Sequence, residues 1–246
     1  MKADLTRQWK LLDLQKLDTR LAQLAHRERN LPVQGELNTA SARARTLGED
    51  VVLARTAVQD NERAVSKAEA DVQLVRDRAT RDQQRLDSGT GSPKELQNLQ
   101  RELEALARRQ LELEDIELEV MERAEALQAQ LTSTEAAHAE AQSDVERLDA
   151  QRTQDLAEIT TEREQVERDR DNVRPGVGEE LLALYDKIRE QQGGVGAAPL
   201  VARRCGGCGL ELGSADLSRI RSAAEDEVLR CEECGRILVR TAESGL

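Results

Sequence analysis

Ser88-Gly89-Thr90-Gly91-Ser92-Pro93 stands between two long stretches of helix-forming sequence. Two glycines and a proline in six residues stop one helix and start another. Ser92 is placed to cap the second helix, Pro93 suits its first position, and Glu95 supplies an early acidic side chain. A connection this short returns the chain on itself, so the two helices run antiparallel.

Outward from this turn, toward the N-terminus, apolar residues recur at spacings of three and four. They are Leu37, Ala40, Ala44, Leu47, Val51, Ala54, Val58, Val65, Ala68, Val72, Val75, Ala79 and Leu86, with Asn61 and Asp82 filling the two remaining places. A strict alternation over about seven heptads predicts a coiled-coil seam. Toward the C-terminus a second run contains Leu96, Leu99, Leu103, Leu106, Leu113, Val120, Ala124, Leu127, Leu131, Ala141, Val145 and Leu148. The first seam is rich in Ala and Val and the second in Leu, so small residues face large ones. Asn61, Gln110 and His138 are read as polar seam residues that restrict register. Each arm extends over about 80 residues, or ~120 Å at 1.5 Å per residue. Residue i is expected to face about 180 − i. Pro32 then lies near Leu148, beyond which the second seam loses phase at Arg152 and Asp155. A helix-breaking proline beside a heptad discontinuity predicts a break in the first arm near 31–35.

The sequence thus divides into an antiparallel hairpin over 1–174, a short helix and Gly-rich linker over 175–198, and a C-terminal ribbon over 199–246. The linker helix spans residues 179–192. Gly193-Gly194-Val195-Gly196 after it is either a mobile connection or an ordered segment packed on the ribbon. Trp9 and Tyr185, the only aromatics, are expected to meet at the base of the hairpin with Leu5 and Leu12. A chain of 246 residues with so few aromatics cannot build a large round core. The expected fold class is therefore mainly α, a long coiled-coil hairpin carrying a small ribbon.

All four cysteines lie in the last 42 residues, as Cys205-Gly-Gly-Cys208-Gly and Cys231-Glu-Glu-Cys234-Gly, with 22 residues between the pairs. Two matched Cys-x-x-Cys turns each supply one edge of a tetrahedron of soft ligands, the arrangement zinc prefers. One structural zinc ion is expected on Cys205, Cys208, Cys231 and Cys234. A redox dithiol uses one such pair beside a βαβ unit, and a catalytic zinc keeps an open position with His or carboxylate ligands. His26 and His138 lie far off in the hairpin sequence. Leu210, Leu212, Leu217 and Ile220 are the candidate ribbon core, with Ile237–Val239 as a final strand.

The stretch Ser92-Pro-Lys-Glu-Leu-Gln-Asn-Leu-Gln-Arg-Glu-Leu103 and the ending Cys231-Glu-Glu-Cys234-Gly-Arg-Ile-Leu238 resemble a bacterial family with a coiled-coil hairpin and a four-cysteine zinc ribbon. Some of its members are flagellar or type III secretion accessory proteins. The resemblance implies a non-enzymatic binding protein. The partners it implies are an alternative sigma factor, secretion components and, in one branch, messenger RNA.

The residues themselves support two functions. A protein-interaction adaptor would present the hairpin surface, its tip and the ribbon. The alternative is RNA or DNA binding through Arg203, Arg204, Arg219, Arg221, Arg230, Arg236 and Arg240 of the ribbon and through Arg85, Lys94 and Arg101 near the tip. A net charge of −12 and the lack of an aromatic at either patch weigh against that alternative. No phosphate-binding loop, dinucleotide fingerprint or nucleophile elbow occurs, so neither enzymatic activity nor a small-molecule substrate is expected. The N-terminus is interrupted by charge every few residues and no run is long enough to span a bilayer. A cytoplasmic protein without membrane association is expected, its thiols kept reduced.

Overall fold

The computed structural model describes the whole chain, residues 1–246. Its helices are α1 (Leu5–Arg29), α2 (Pro32–Asp87), α3 (Pro93–Val173), a 3-10 turn (Arg174–Gly176), α4 (Glu179–Gln191) and α5 (Ser214–Ser222). The strands are β1 (Ala197–Val201), β2 (Arg204–Cys205), β3 (Leu229–Arg230) and β4 (Ile237–Val239). The chain forms two compact units, Gly35–Asp149 and Met1–Gln34 with Ala150–Leu246.

The unit Gly35–Asp149 is a long helical hairpin. The seam positions read from the sequence are its buried or half-buried residues, with Val72, Ala141 and Leu148 the most enclosed. Two helices alone can cover only one stripe of each other, which is why so few positions are fully buried. The pairing is antiparallel: Arg55 meets Glu135 at 2.6 Å, Arg76 meets Glu114 at 2.5 Å, and Arg78 pairs with Glu102. Asn61 is buried in the seam and donates its amide to the carbonyl of Val120 at 2.9 Å, which satisfies it and fixes register. His138 lies half-buried over Gly48, where a Cβ would stand 3.2 Å from its Nε2. At the tip, Ser92 and Glu95 form a reciprocal cap: the Ser92 N–H donates to Glu95 Oε2 at 2.7 Å and the Glu95 N–H approaches Ser92 Oγ at 3.4 Å. The hydrogen bond from the Ser92 backbone, followed by that from its hydroxyl, lowers the Glu95 pKa.

In the other unit, α1 packs along the last turns of α3 through Arg20–Glu162 and Arg170–Asp18. A four-stranded sheet of order β2-β1-β4-β3 follows α4. β1 and β4 run parallel in register Ala197↔Ile237 and Pro199↔Val239, and the other pairs are antiparallel. Strand alternation divides the core between two faces. Ala197, Ile237 and Val239 point into a cluster with Leu11, Leu14, Leu181, Tyr185 and Ile188. Ala198, Leu200 and Leu238 point the other way, to Leu212, Leu217, Ile220 and the buried cysteines. The two central strands are thus the shared wall between the helical base and the cysteine cluster.

Several details differ from the sequence reading. The break expected near 31–35 lies at its N-terminal edge, at Asn30–Leu31, and Pro32 opens α2. Proline lacks an N–H and disfavours helical geometry in the residue before it, so the interruption lies N-terminal to it. Gly35 is inside α2. The glycine-rich segment is pinned: the amides of Gly196 and Ala197 donate to Gln15 Oε1 at 2.7 and 3.3 Å. A Cβ on Gly196 would sit 2.7 Å from the Tyr185 ring and backbone, so glycine is what lets the strand approach α4. Trp9 does not join Tyr185. It is half exposed and donates Nε1–H to the Arg240 carbonyl at 3.1 Å, because two residues along a helix place it nearly opposite Leu11. Leu210 also lies outside the core, following the positive-φ backbone of Gly209.

Candidate metal centre

The cysteine cluster is assembled from two copies of one backbone device. In each, the N–H of the glycine after the second cysteine donates to the carbonyl of the first: Gly209 to Cys205 and Gly235 to Cys231, both at 2.8 Å. Both glycines have positive φ, 76° and 71°, which a side chain would oppose. Each first cysteine then donates its own N–H to the carbonyl beyond the turn, Cys205 to Leu210 at 3.0 Å and Cys231 to Arg236 at 2.9 Å. The chain is thereby curled around its sulfurs.

The four Sγ atoms lie within 4.8 Å of one another. Cys205 and Cys234 are 3.9 Å apart, and Cys208 and Cys231 are 4.0 Å apart. Sulfurs at ~2.3 Å from a tetrahedral zinc stand about 3.8 Å from each other, whereas a disulfide would need ~2.0 Å. All four thiols are free. Spacing and donor set therefore fit zinc. Burial pushes the Cys205 thiol up and takes Cys231 to about 12. Burial acts on Cys234 in the same sense, but hydrogen bonds from the Arg236 backbone and side chain outweigh it and hold that thiol at about 7. A zinc ion held by Cys205, Cys208, Cys231 and Cys234 would supply the positive charge that favours their thiolate forms.

The arginines proposed for phosphate contact have other occupations. Arg236 donates to the carbonyls of Val195 and Gln192, each at 3.0 Å. Arg240 gathers the carbonyls of Ile220, Ala223 and Ala224 at and just beyond the end of α5. Arg230 donates to the Gly235 carbonyl, Arg219 pairs with Glu232 at 2.6 Å, and Arg204 lies 3.9 Å from Glu211. Arg203 and Arg221 are exposed; Arg85, Lys94 and Arg101 are exposed around the hairpin turn. The structure brings the four cysteines together. Five of the seven ribbon arginines, Arg204, Arg219, Arg230, Arg236 and Arg240, are engaged by groups of the chain itself.

What the sequence reading missed is the buried polar set on α1. Gln8 donates to the carbonyls of Ala3 and Glu225 at 2.8 and 3.2 Å. Gln15 bridges Gly194, Gly196 and Ala197. Asp18 receives Arg170 and Tyr185, each at 2.6 Å. The signal was present in Gln8, Leu11, Gln15 and Asp18, spaced three, four and three on one helical face.

Comparison with known proteins agrees with this architecture. Residues 14–193 match the model of the CT398-like coiled coil hairpin domain, and residues 204–238 match the C4-type zinc ribbon domain. An uncharacterized protein of Mycobacterium tuberculosis is 40% identical over 240 residues, covering 98% of each chain. Another from Mycobacterium leprae is 32% identical over 226 residues, 91% of this chain and 96% of that one. A solved structure from Mycobacterium smegmatis superposes with a TM-score of 0.81 at 36% identity, over 98% of this chain and all of the other. CT398 of Chlamydia trachomatis shares the fold at a TM-score of 0.62 and 18% identity, over 96% and 98% of the two chains. A hairpin match covering most of the chain, followed by a ribbon match that contains all four cysteines, places this protein in the CT398-like coiled-coil hairpin family with a C4-type zinc ribbon.

Proposed function

We propose that this chain is a non-enzymatic cytoplasmic adaptor whose ribbon is held by one structural zinc ion and whose hairpin engages protein partners. The observation that carries this reading is that four cysteine sulfurs, two of them buried, are gathered at one point. Four thiolates complete the coordination sphere of a zinc ion and leave no position for water or substrate. The metal then serves folding: its ligands Cys205 and Cys231 belong to the same small core as Leu200, Ile220 and Leu238. Clustered free thiols suit a reducing compartment, and no helix is long and apolar enough to cross a membrane.

The phosphate-binding alternative is weaker, because Arg219, Arg236 and Arg240 are engaged with carboxylates or backbone carbonyls. Site-specific photo-crosslinking tests the adaptor reading. The reactive group is placed at exposed hairpin and ribbon positions of the zinc-loaded full chain, inside cells that make it. Discrete protein adducts from defined positions are expected. Adducts to nucleic acid alone, with binding that weakens steeply as salt rises, would replace this reading with the alternative.

A further inference from the structure

Three of the strongly exposed large apolar side chains fall close together on α3. Leu111 is 64% exposed, Leu118 59% and Met121 45%. At ~100° per residue these three share one outward face, about a third of the helix circumference, with Asp115, Glu122 and Glu125. All three of those acids are exposed. Residues 111–126 hold seven carboxylates and one arginine. Glu112 is paired with Arg109, and Glu114 with Arg76 and Gln110. The remaining charge is open.

The neighbouring helix extends the same character. Arg55 and Arg76 of α2 lie 21 residues apart and touch Glu135 and Glu114 of α3, also 21 apart, so both pairs mark one flank of the hairpin. Met121 is one heptad from Glu114 and falls in that row. Glu62 and Glu69 occupy the two heptad positions between Arg55 and Arg76, and both are exposed. The flank beside Leu118 and Met121 is therefore acidic on both helices.

We propose that this face of the hairpin is a docking surface for a basic amphipathic helix of a protein partner. The inference rests on the adaptor reading and names the partner chemistry. Leucines one heptad apart match apolar residues repeating on a partner helix, and the carboxylates on either side receive its Lys or Arg. Charge decides the occupant. A second copy of this face would bring like charges together, and an anionic lipid surface or nucleic acid would be repelled. A basic helix gains electrostatic attraction while covering the three apolar side chains.

The test uses the zinc-loaded full chain and a fluorescent Leu/Lys peptide of roughly 18 residues, five helical turns, with its leucines on one face. Anisotropy should report binding that weakens as salt rises. Leu111→Ser with Leu118→Ser should weaken it at least about tenfold, as truncation of interface anchors does. Glu122→Lys with Glu125→Lys should do the same, and Leu53→Ser, elsewhere on the hairpin, should leave it unchanged. Equal binding of a scrambled peptide, equal binding by the double variants, or no binding at about 100 μM peptide would overturn the proposal. So would self-association abolished by Leu118→Ser, which would assign the face to a second copy. Protein crosslinks that persist elsewhere while the peptide fails to bind would sink this inference and leave the adaptor reading standing.

Discussion

The phenol of Tyr185 donates a 2.6 Å hydrogen bond to Oδ2 of Asp18, whose side chain has no exposed surface. Arg170 Nε lies 2.6 Å from the other oxygen, and Arg189 Nε stands 3.4 Å from Oδ2, an ion pair without hydrogen-bond alignment. One carboxylate thus joins α1, α3 and α4 beneath the sheet. Removing it strands two guanidinium groups. Asp18→Ala is expected to cost about 3–5 kcal/mol and Tyr185→Phe about 1–2 kcal/mol, read by urea unfolding followed by circular dichroism.

The same contact sets an alkaline limit. Burial first, and then the hydrogen bond to Asp18, pushes the Tyr185 phenol well above its ordinary value of 10.0. A raised folded-state value means that the folded state favours the protonated phenol. Its stabilisation is complete below about pH 10 and is lost as pH rises above that. Absorbance titration should show no tyrosinate below pH 10 and its appearance together with unfolding. Reversible ionisation near pH 10 in the folded protein would contradict the burial.

Zinc removal should act locally. Cys234→Ser, or chelation of the metal, is expected to make the region around β2, α5 and β3 sensitive to protease while most helical ellipticity remains. The long helices bury their seam independently of the cysteines, so only the small core containing Cys205 and Cys231 loses its tether. Acidification should release the metal, because protons compete for the thiolates. Metal analysis that finds full zinc in Cys234→Ser would refute the four-cysteine assignment.

Asp82 sits in the hairpin seam with only 12% of its side chain exposed, and its Oδ2 has no hydrogen-bond partner. Arg78 is 3.8 Å away, too far to donate well. Asp82→Leu should therefore stabilise the hairpin by about 1–2 kcal/mol, by removing an unsatisfied buried group and adding apolar contact. A lower melting temperature for this variant would show that the carboxylate is satisfied in solution.

Arg240 and Arg221 make an internal control for the phosphate-binding alternative. Arg240→Ala leaves the carbonyls of Ile220, Ala223 and Ala224 without their charged donor and should destabilise the ribbon by about 1.5–3 kcal/mol. Arg221→Ala removes an exposed side chain and should stay within about 0.5 kcal/mol of the parent. If the two variants unfold alike, Arg240 is not the cap it resembles.

The seam of the hairpin was legible because periodicity is a local property. A residue three or four places from another lies on the same helical face whatever surrounds it, so Val72, Leu113 and Leu131 could be assigned from spacing alone. The tip was legible for the same reason, since Ser92, Pro93 and Glu95 act on the backbone beside them. Two Cys-x-x-Cys turns likewise specify their ligand geometry within a few residues. Trp9, Leu210, Gln15 and Arg240 were different. An aromatic, a leucine, an amide and a guanidinium each have a buried and an exposed reading, and composition does not choose between them.

The sequence by itself determined a helical hairpin, its turn, the residues that line its seam and two Cys-x-x-Cys turns suited to zinc, because each depends on neighbours within about one heptad. Only the tertiary structure decided that Tyr185 is buried while Trp9 is half exposed, that the glycine-rich segment is pinned by Gln15, and that Arg236 and Arg240 serve carbonyls. Those outcomes join residues from 16 to 231 positions apart. They depend on which unsatisfied donors and acceptors the packed elements bring together, and no local pattern records that.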